Sequence, residues 1–219
     1  MVLRKITKTS VAESCADLAE RSSLDLDVIL LTTVATAICF FGFHMNSSSV
    51  IIGAMVISPL LYSVVHIGVS IFNWDSKSVR SSLVTIIGGS VIAISVAALL
   101  TQLFPTTPRS EIIDRLNISL MDYFFVAVFS GIGGTFAFFW PNILDIVAGI
   151  TISIALIPPM TMIGIGMTSF SAHLLAISGI IAVINILGIC LGAFIAYASI
   201  EIALRHFSKI TAMPIEGVK

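Results

Sequence analysis

Two apolar stretches of this 219-residue chain are interrupted by residues able to hold an ion, a proton or a polar group. The first opens with Asn46-Ser47-Ser48-Ser49, runs through Gly53-Ala54, and meets Ser58-Pro59-Leu60. Hydroxyls, an amide and the free N–H groups of a helix start can together bind an anion or polar group. The same residues can equally be plain N-caps. Pro59 has no N–H and clashes with the carbonyl one turn back, so a kink or break is expected there. Gly53 and Ala54 permit close backbone approach. The second stretch opens with Asn142-Ile143-Leu144-Asp145 and ends at Ile157-Pro158-Pro159-Met160. Consecutive prolines remove two donors and push Ile157 and Pro158 away from helical geometry. Carbonyls freed inside a bilayer are tolerated only where protein or a water-filled cavity covers them, and there they can coordinate a cation.

Asp145 is the ionisable residue of most interest. A carboxylate within a membrane span is a site by default, although near a helix start it can simply serve the helix dipole. His66, late in the first stretch, can carry a proton or pack as a satisfied histidine. Asn185 lies inside a later apolar run and is expected to face the bundle. No nucleophile elbow, His-rich metal motif or phosphate loop occurs, so no enzyme, cofactor or metal site is expected. Cys15, Cys39 and Cys190 are scattered and odd in number, with neither disulfide nor metal-ligand spacing.

These residues sit in a chain that is 57% hydrophobic and only 11% charged. Soluble domains carry roughly a quarter charged residues, and a soluble fold of this length could not hide so much apolar surface. A net charge of −1 gives no reason to expect a nucleic-acid partner. Spans of about 20 apolar residues are needed to cross a bilayer. Such runs are Val28–Met45, Val50–Phe72, Leu83–Phe104, Tyr123–Trp140, Ile143–Met167 and Leu174–Ile202. The expected fold is therefore an all-α integral membrane protein of about six transmembrane helices, the second and fifth broken. Residues 1–27 form a polar leader with an amphipathic helix, 28–202 the membrane domain, and 203–219 a tail. In the leader, Ser10-Val11-Ala12-Glu13 is a capping-box pattern, and Val11, Cys15, Leu18 and Ala19 share one face. That helix is expected to lie in the membrane interface or against a neighbouring subunit. With six spans, nine of the eleven Lys and Arg residues fall on the side of the termini, which places both termini in the cytoplasm. The outer loop carries Arg109, Glu111, Asp114 and Arg115, with a short surface helix expected over 110–116. Gly188-x-x-x-Gly192 predicts a close helix crossing, and Glu201 with Arg205 an i,i+4 pair.

Compared with itself at an offset of 96, the chain places Ser23-Leu24 on Ser119-Leu120, Phe43 on Phe139, Asn46 on Asn142, Gly53 on Gly149 and Ile67-Gly68 on Ile163-Gly164. Pro59 falls on Ala155, so the prolines do not align. A repeat of three spans must be inverted in the membrane. Halves 28–104 and 123–202 then form a 3+3 inverted repeat, an arrangement typical of secondary transporters.

Asn46-Ser47, then Val50-Ile51-Ile52-Gly53-Ala54-Met55 and Pro59-Leu60, resembles the hallmark of the family known as domain of unknown function 389. Ala155-Leu156-Ile157-Pro158-Pro159 is similar to its second hallmark. The resemblance covers roughly Val28 to Ala198 and implies a prokaryotic inner-membrane protein, with no substrate attached. The functional expectation is a homo-oligomeric transporter or channel for a small ion or polar solute, sited between the broken spans. Its ligands would come from Asn46, Ser47, Ser48, Gly53, Ser58, Pro59, Asn142, Asp145, Pro158, Pro159 and Asn185. The other expectation is a non-transporting scaffold or sensor acting through its N-terminal helix.

Overall fold

The computed structural model describes residues 8–105, 119–139 and 156–211, and these hold eight helices. In chain order they are α1 (Lys8–Arg21), α2 (Leu26–His44), α3 (Ser48–Ile57), α4 (Leu60–Phe72), α5 (Ser76–Leu103), α6 (Leu120–Phe139), α7 (Ile157–Thr168) and α8 (Ala172–Thr211). Four of them, α2, α5, α6 and α8, are long and apolar enough to cross a membrane, and the bent pair α3–α4 makes five if counted as one span. All five turn large apolar side chains outward, among them Leu30, Val56, Ile87, Phe129 and Leu187. Water would penalise that display, and hydrocarbon would not.

The break between α3 and α4 follows from local chemistry. Ser58 is extended (φ −68, ψ 125), as a residue before proline prefers, and Pro59 sits at the N-cap of α4. The two helices meet at 56°. Upstream, Asn46 takes a left-handed φ of 52° in the α2–α3 turn, a conformation asparagine tolerates.

Contacts between named residues fix the helix directions. Val64 meets Cys190 and Phe72 meets Tyr197, so α4 and α8 run parallel. Gly188 abuts Phe124, Gly192 abuts Val128, and Phe139 stacks on Tyr197, so α6 also runs with α8. Leu24 packs at Gly88 and Phe41 at Phe104, so α2 runs with α5. Tight turns reverse the chain between α4 and α5 and between α7 and α8. Hence α2, α5 and α7 point one way, and α4, α6 and α8 the other.

The two turns are alike in detail. Trp74 and Phe170, 96 residues apart, both have positive φ, at 56° and 51°. Asp75 N bonds Ser70 O at 3.0 Å, and Ser171 N bonds Gly166 O at 3.1 Å. Asp75 Oδ1 then accepts from Ser78 N, as Ser171 Oγ accepts from Leu174 N. The packing that follows is reciprocal. A Cβ on Gly68 would stand 2.5 Å from Cys190 O, 2.7 Å from Ala193 Cβ and 3.0 Å from Phe194 N. A Cβ on Gly164 would stand 2.5 Å from Ile94 O, 2.7 Å from Ala97 Cβ and 3.0 Å from Ala98 N. Each residue in one set lies 96 positions from its counterpart in the other. Thus α4 crosses α8 as α7 crosses α5.

Three sequence expectations change here. Helix α1 begins at Lys8, so Ser10 is inside the helix rather than its cap. Its apolar face is also taken up within the chain. Val11 (4% exposed) and Leu18 (fully buried) pack where α1 meets α4 and α6, and Cys15 Sγ lies 3.6 Å from the Tyr197 hydroxyl. The contacts of α1 reach along α4 from Ser63, against Ser22, to the level of Phe72, which shares Tyr197 with Cys15. Helix α5 begins at Ser76, two turns before the apolar run, because Asp75 caps it and its polar first turns stay helical.

Candidate functional site

The break at Ser58-Pro59 lies halfway along the molecule. Leu60 packs against Gly89, whose added Cβ would touch Leu60 Cδ2. Gly89 is 13 residues from Ser76 and 14 from Leu103, about 20 Å from either end of α5. The α1–α2 junction reaches the same level: Leu24 packs at neighbouring Gly88, and Ser63 Oγ lies 3.5 Å from Ser22 O.

A crevice of about 380 Å³ opens at this height. Pro59 and Tyr62 line one side, and Asp17, Glu20, Arg21, Asp25 and Asp27 line the other. Arg21 Nε pairs with Asp17 Oδ1 at 3.0 Å, each side chain about half exposed, and its guanidinium lies 5.7 Å from the Tyr62 ring centre. Asp25 caps α2 from extended backbone and accepts from the Ser23 hydroxyl. Four carboxylates against one guanidinium leave the lining negative. No cluster of three or more His, Cys, Asp or Glu side chains able to hold a metal occurs among the described residues.

The residues expected at the site are spread over the bundle. Ser58 and Pro59 are at the break, Ser58 partly exposed and Pro59 buried. Asn46, Ser47 and Ser48 sit about 16 Å away, at the far end of the ten-residue α3. Gly53 is exposed with nothing within 4 Å of an added Cβ, so it makes no close approach; Ala54 beside it is fully buried. Pro158 and Pro159 are buried in the first turn of α7, where their missing N–H groups serve no helical bond. Ile157 is helical, and the residues that precede Leu156 lie outside those described. Asn142, Asp145 and the surface helix expected at 110–116 lie outside the described residues. His66 is 6% exposed, with Nδ1 2.8 Å from Ser82 Oγ across the α4–α5 pair. Asn185 is buried on α8, away from the crevice residues.

Sequence reasoning did not bring the α1–α2 junction into the site. Its charges read as an ordinary polar leader, and the crevice joins residues 17–31 to residues 59–62, which no local pattern links. The 96-residue offset offered a further signal, since Ser82 falls on Ser178. Ser178 Oγ and Thr32 Oγ1 are buried hydroxyls without a hydrogen-bond partner among the described residues.

A helical bundle with four or five helices of membrane-crossing length, apolar outer faces and a charged crevice beside the α3–α4 bend is that of a multi-pass, membrane-type protein. The chain belongs to the family described as Domain of unknown function (DUF389), whose pattern matches residues 55–191. It is also similar to the uncharacterized protein MJ0678 of Methanocaldococcus jannaschii, 28% identical over 201 residues. That match covers 89% of this chain and 58% of the relative, so the chain spans little more than half the relative's length. No solved structure matches it.

Proposed function

We propose that this chain is a multi-pass inner-membrane transporter or channel for a small ion or polar solute, built from two inverted three-span units. The reciprocal glycine packing and the matched turns support the repeat. The opposed directions of α2 and α6 support its inversion. On this reading both termini are cytoplasmic.

The observation that carries the functional reading is the height of the crevice. With the apolar run of α5 from Leu83 spanning the bilayer, Asp17, Glu20, Arg21, Asp25 and Asp27 lie near the level of Gly89, about 9 Å inside one end of that run, where unhydrated charge is costly. Hydrocarbon cannot face them, so water must. An aqueous crevice that reaches a broken span from one side is half of a pathway. Its negative lining concentrates cations at the mouth. A homo-oligomer closing around the crevice would keep lipid out.

The test is flux. Purified protein in liposomes is expected to pass at least one small ion or polar solute, and Asp145→Asn or Asn46→Ala is expected to abolish the flux. Wild-type protein inert to a broad panel of monovalent and divalent ions and small polar solutes would refute transport. The scaffold alternative loses ground because Val11 and Leu18, which it needs as a docking face, are buried inside the chain.

A further inference from the structure

The fold builds the same hairpin turn twice, once between α4 and α5 and once between α7 and α8, but the side chains around the two differ. At the first, a groove of about 820 Å³ runs between the end of α4, the start of α5 and the last turns of α8. Its floor is apolar, made by Phe72, Leu83 and Phe194, and Arg80 and Arg205 stand in its walls. Trp74 is 92% exposed at the rim. At the 96-residue equivalents of Lys77 and Arg80 the second turn has His173 and Ala176. Phe170, the equivalent of Trp74, is 91% exposed. An exposed aromatic therefore belongs to the turn itself, whereas the basic groups belong to one groove. Arg109, the equivalent of Arg205, lies outside the described residues.

The groove's basic groups reach its surface. Arg80 is exposed and makes no ion pair among the described residues, and Lys77 lines the adjoining hollow beside it. Arg205 meets Glu201 at 3.4 Å, and its side chain is 72% exposed. The one acid in the groove, Asp75, is engaged with the start of α5, accepting from Lys77 N, Ser78 N and Ser78 Oγ at 3.1, 3.2 and 2.6 Å. Two guanidiniums above an apolar floor, at the end of a membrane-type bundle and beside an exposed tryptophan, match an amphiphile with an anionic head. Arginine suits a phosphate diester because its planar fork donates twice. A soluble anion would have no use for Phe72, Leu83 and Phe194.

We propose that this groove binds an anionic phospholipid, its headgroup phosphate between Arg80 and Arg205 and its acyl chain along Phe72, Leu83 and Phe194. The proposal is independent of transport, since it needs only that this end of the bundle meets a leaflet surface. The chain has two tryptophans, Trp74 and Trp140. The Trp140→Phe variant therefore leaves Trp74 as the single reporter in the groove. This variant is placed in phosphatidylcholine nanodiscs containing a small fraction of either brominated phosphatidylglycerol or brominated phosphatidylcholine, and Trp74 emission is read. The expected result is clear preferential quenching by the brominated phosphatidylglycerol. Arg80→Gln and Arg205→Gln should each reduce that preference about fivefold, as one basic group at a membrane surface does. Both residues are exposed, so both variants should fold, and circular dichroism checks this. Inorganic phosphate at matched ionic strength should leave the quenching unchanged. Equal quenching by the two lipids, or a preference surviving the double Arg80→Gln, Arg205→Gln change, would overturn the proposal. Competition by inorganic phosphate would also overturn it, in favour of a free-anion site.

Discussion

Adding one methyl group at Gly68 and one at Gly164 should be felt alike, although the residues lie at opposite ends of the molecule. In each case the new Cβ would stand 2.5 Å from a backbone oxygen and 2.7 Å from an alanine Cβ. Real Cβ atoms do not come that close, and neither obstacle is the end of a flexible side chain. The helix pair must therefore separate, α4 from α8 in one variant and α7 from α5 in the other. Overpacking of this kind costs about 1–3 kcal/mol. The better helix propensity of alanine returns up to about 1 kcal/mol, so a net loss of roughly 0.5–2 kcal/mol is expected for each. Gly53→Ala and Gly179→Ala supply the control, since nothing lies within 4 Å of their added Cβ atoms. They should be neutral or up to about 1 kcal/mol stabilising from propensity alone. The assay is the unfolding midpoint in mixed micelles of increasing SDS, read by circular dichroism for wild type and all four variants. Losses at Gly68 and Gly164 within about 0.5 kcal/mol of each other are expected. A clear loss at one with none at the other would refute the equivalence of the two crossings, and with it the repeat.

Three further outcomes follow from the same geometry. With Cys15, Cys39 and Cys190 replaced by Ala, Asp25→Cys should react with a membrane-impermeant maleimide in intact vesicles, and Ile87→Cys on the lipid-facing side of α5 should not. An inert Asp25→Cys would mean that the crevice holds no water. Leu18→Ala should cost about 2–4 kcal/mol, because this fully buried side chain anchors α1; faster proteolysis within residues 8–24 would report the release, and unchanged digestion would show that α1 is held elsewhere. The Asp75 carboxyl is held below its ordinary value of 3.8, chiefly by the Ser78 hydroxyl and then by backbone N–H groups. A depressed carboxyl stabilises the fold above its unfolded value, and the contribution disappears as pH falls through the lower, folded value. Amide protection at Lys77 and Ser78 should thus be constant near neutrality and fall only in acid below about pH 4, and Asp75→Asn should abolish that dependence.

Much of the architecture is written locally. Apolar runs gave the spans because burying 20 consecutive apolar residues needs no partner beyond lipid. The break at Pro59 was legible because proline removes a donor whatever surrounds it. Gly188 and Gly192 told of a close crossing, now seen against Phe124, Ala127 and Val128, and Glu201–Arg205 form their pair at 3.4 Å. What was not legible depends on how distant segments meet. The face of α1 was visible as Val11, Cys15 and Leu18, but nothing local says that α4 and α6 cover it. The crevice is of the same kind: Asp25 and Asp27 look like a helix start, and only tertiary packing at Gly88 and Gly89 lifts them to the level of Pro59. The bounds of the helix that holds Pro158-Pro159 were not legible either, because two prolines suit the first turn of a helix as well as a break within a span.

The differences between the halves carry more information than their likeness. Backbone geometry repeats at Trp74 and Phe170, at Gly68 and Gly164, and in the first turns of α5 and α8, so packing alone does not require the side chains there to differ. Yet Asp75, Lys77 and Arg80 face Ser171, His173 and Ala176 in the comparison, and the His66–Ser82 pair is replaced by Met162 and an unpartnered Ser178. A buried imidazole needs a partner, and Ser82 supplies one at 2.8 Å. A buried hydroxyl without a partner among the described residues gains nothing for stability, because it is desolvated without an acceptor. Histidine and its serine thus account for each other in the first unit, while Ser178 keeps the serine without the histidine. No contact among the described residues accounts for that serine in the present fold. Ser178→Ala should therefore be harmless or mildly stabilising, whereas Ser82→Ala should cost the His66 contact.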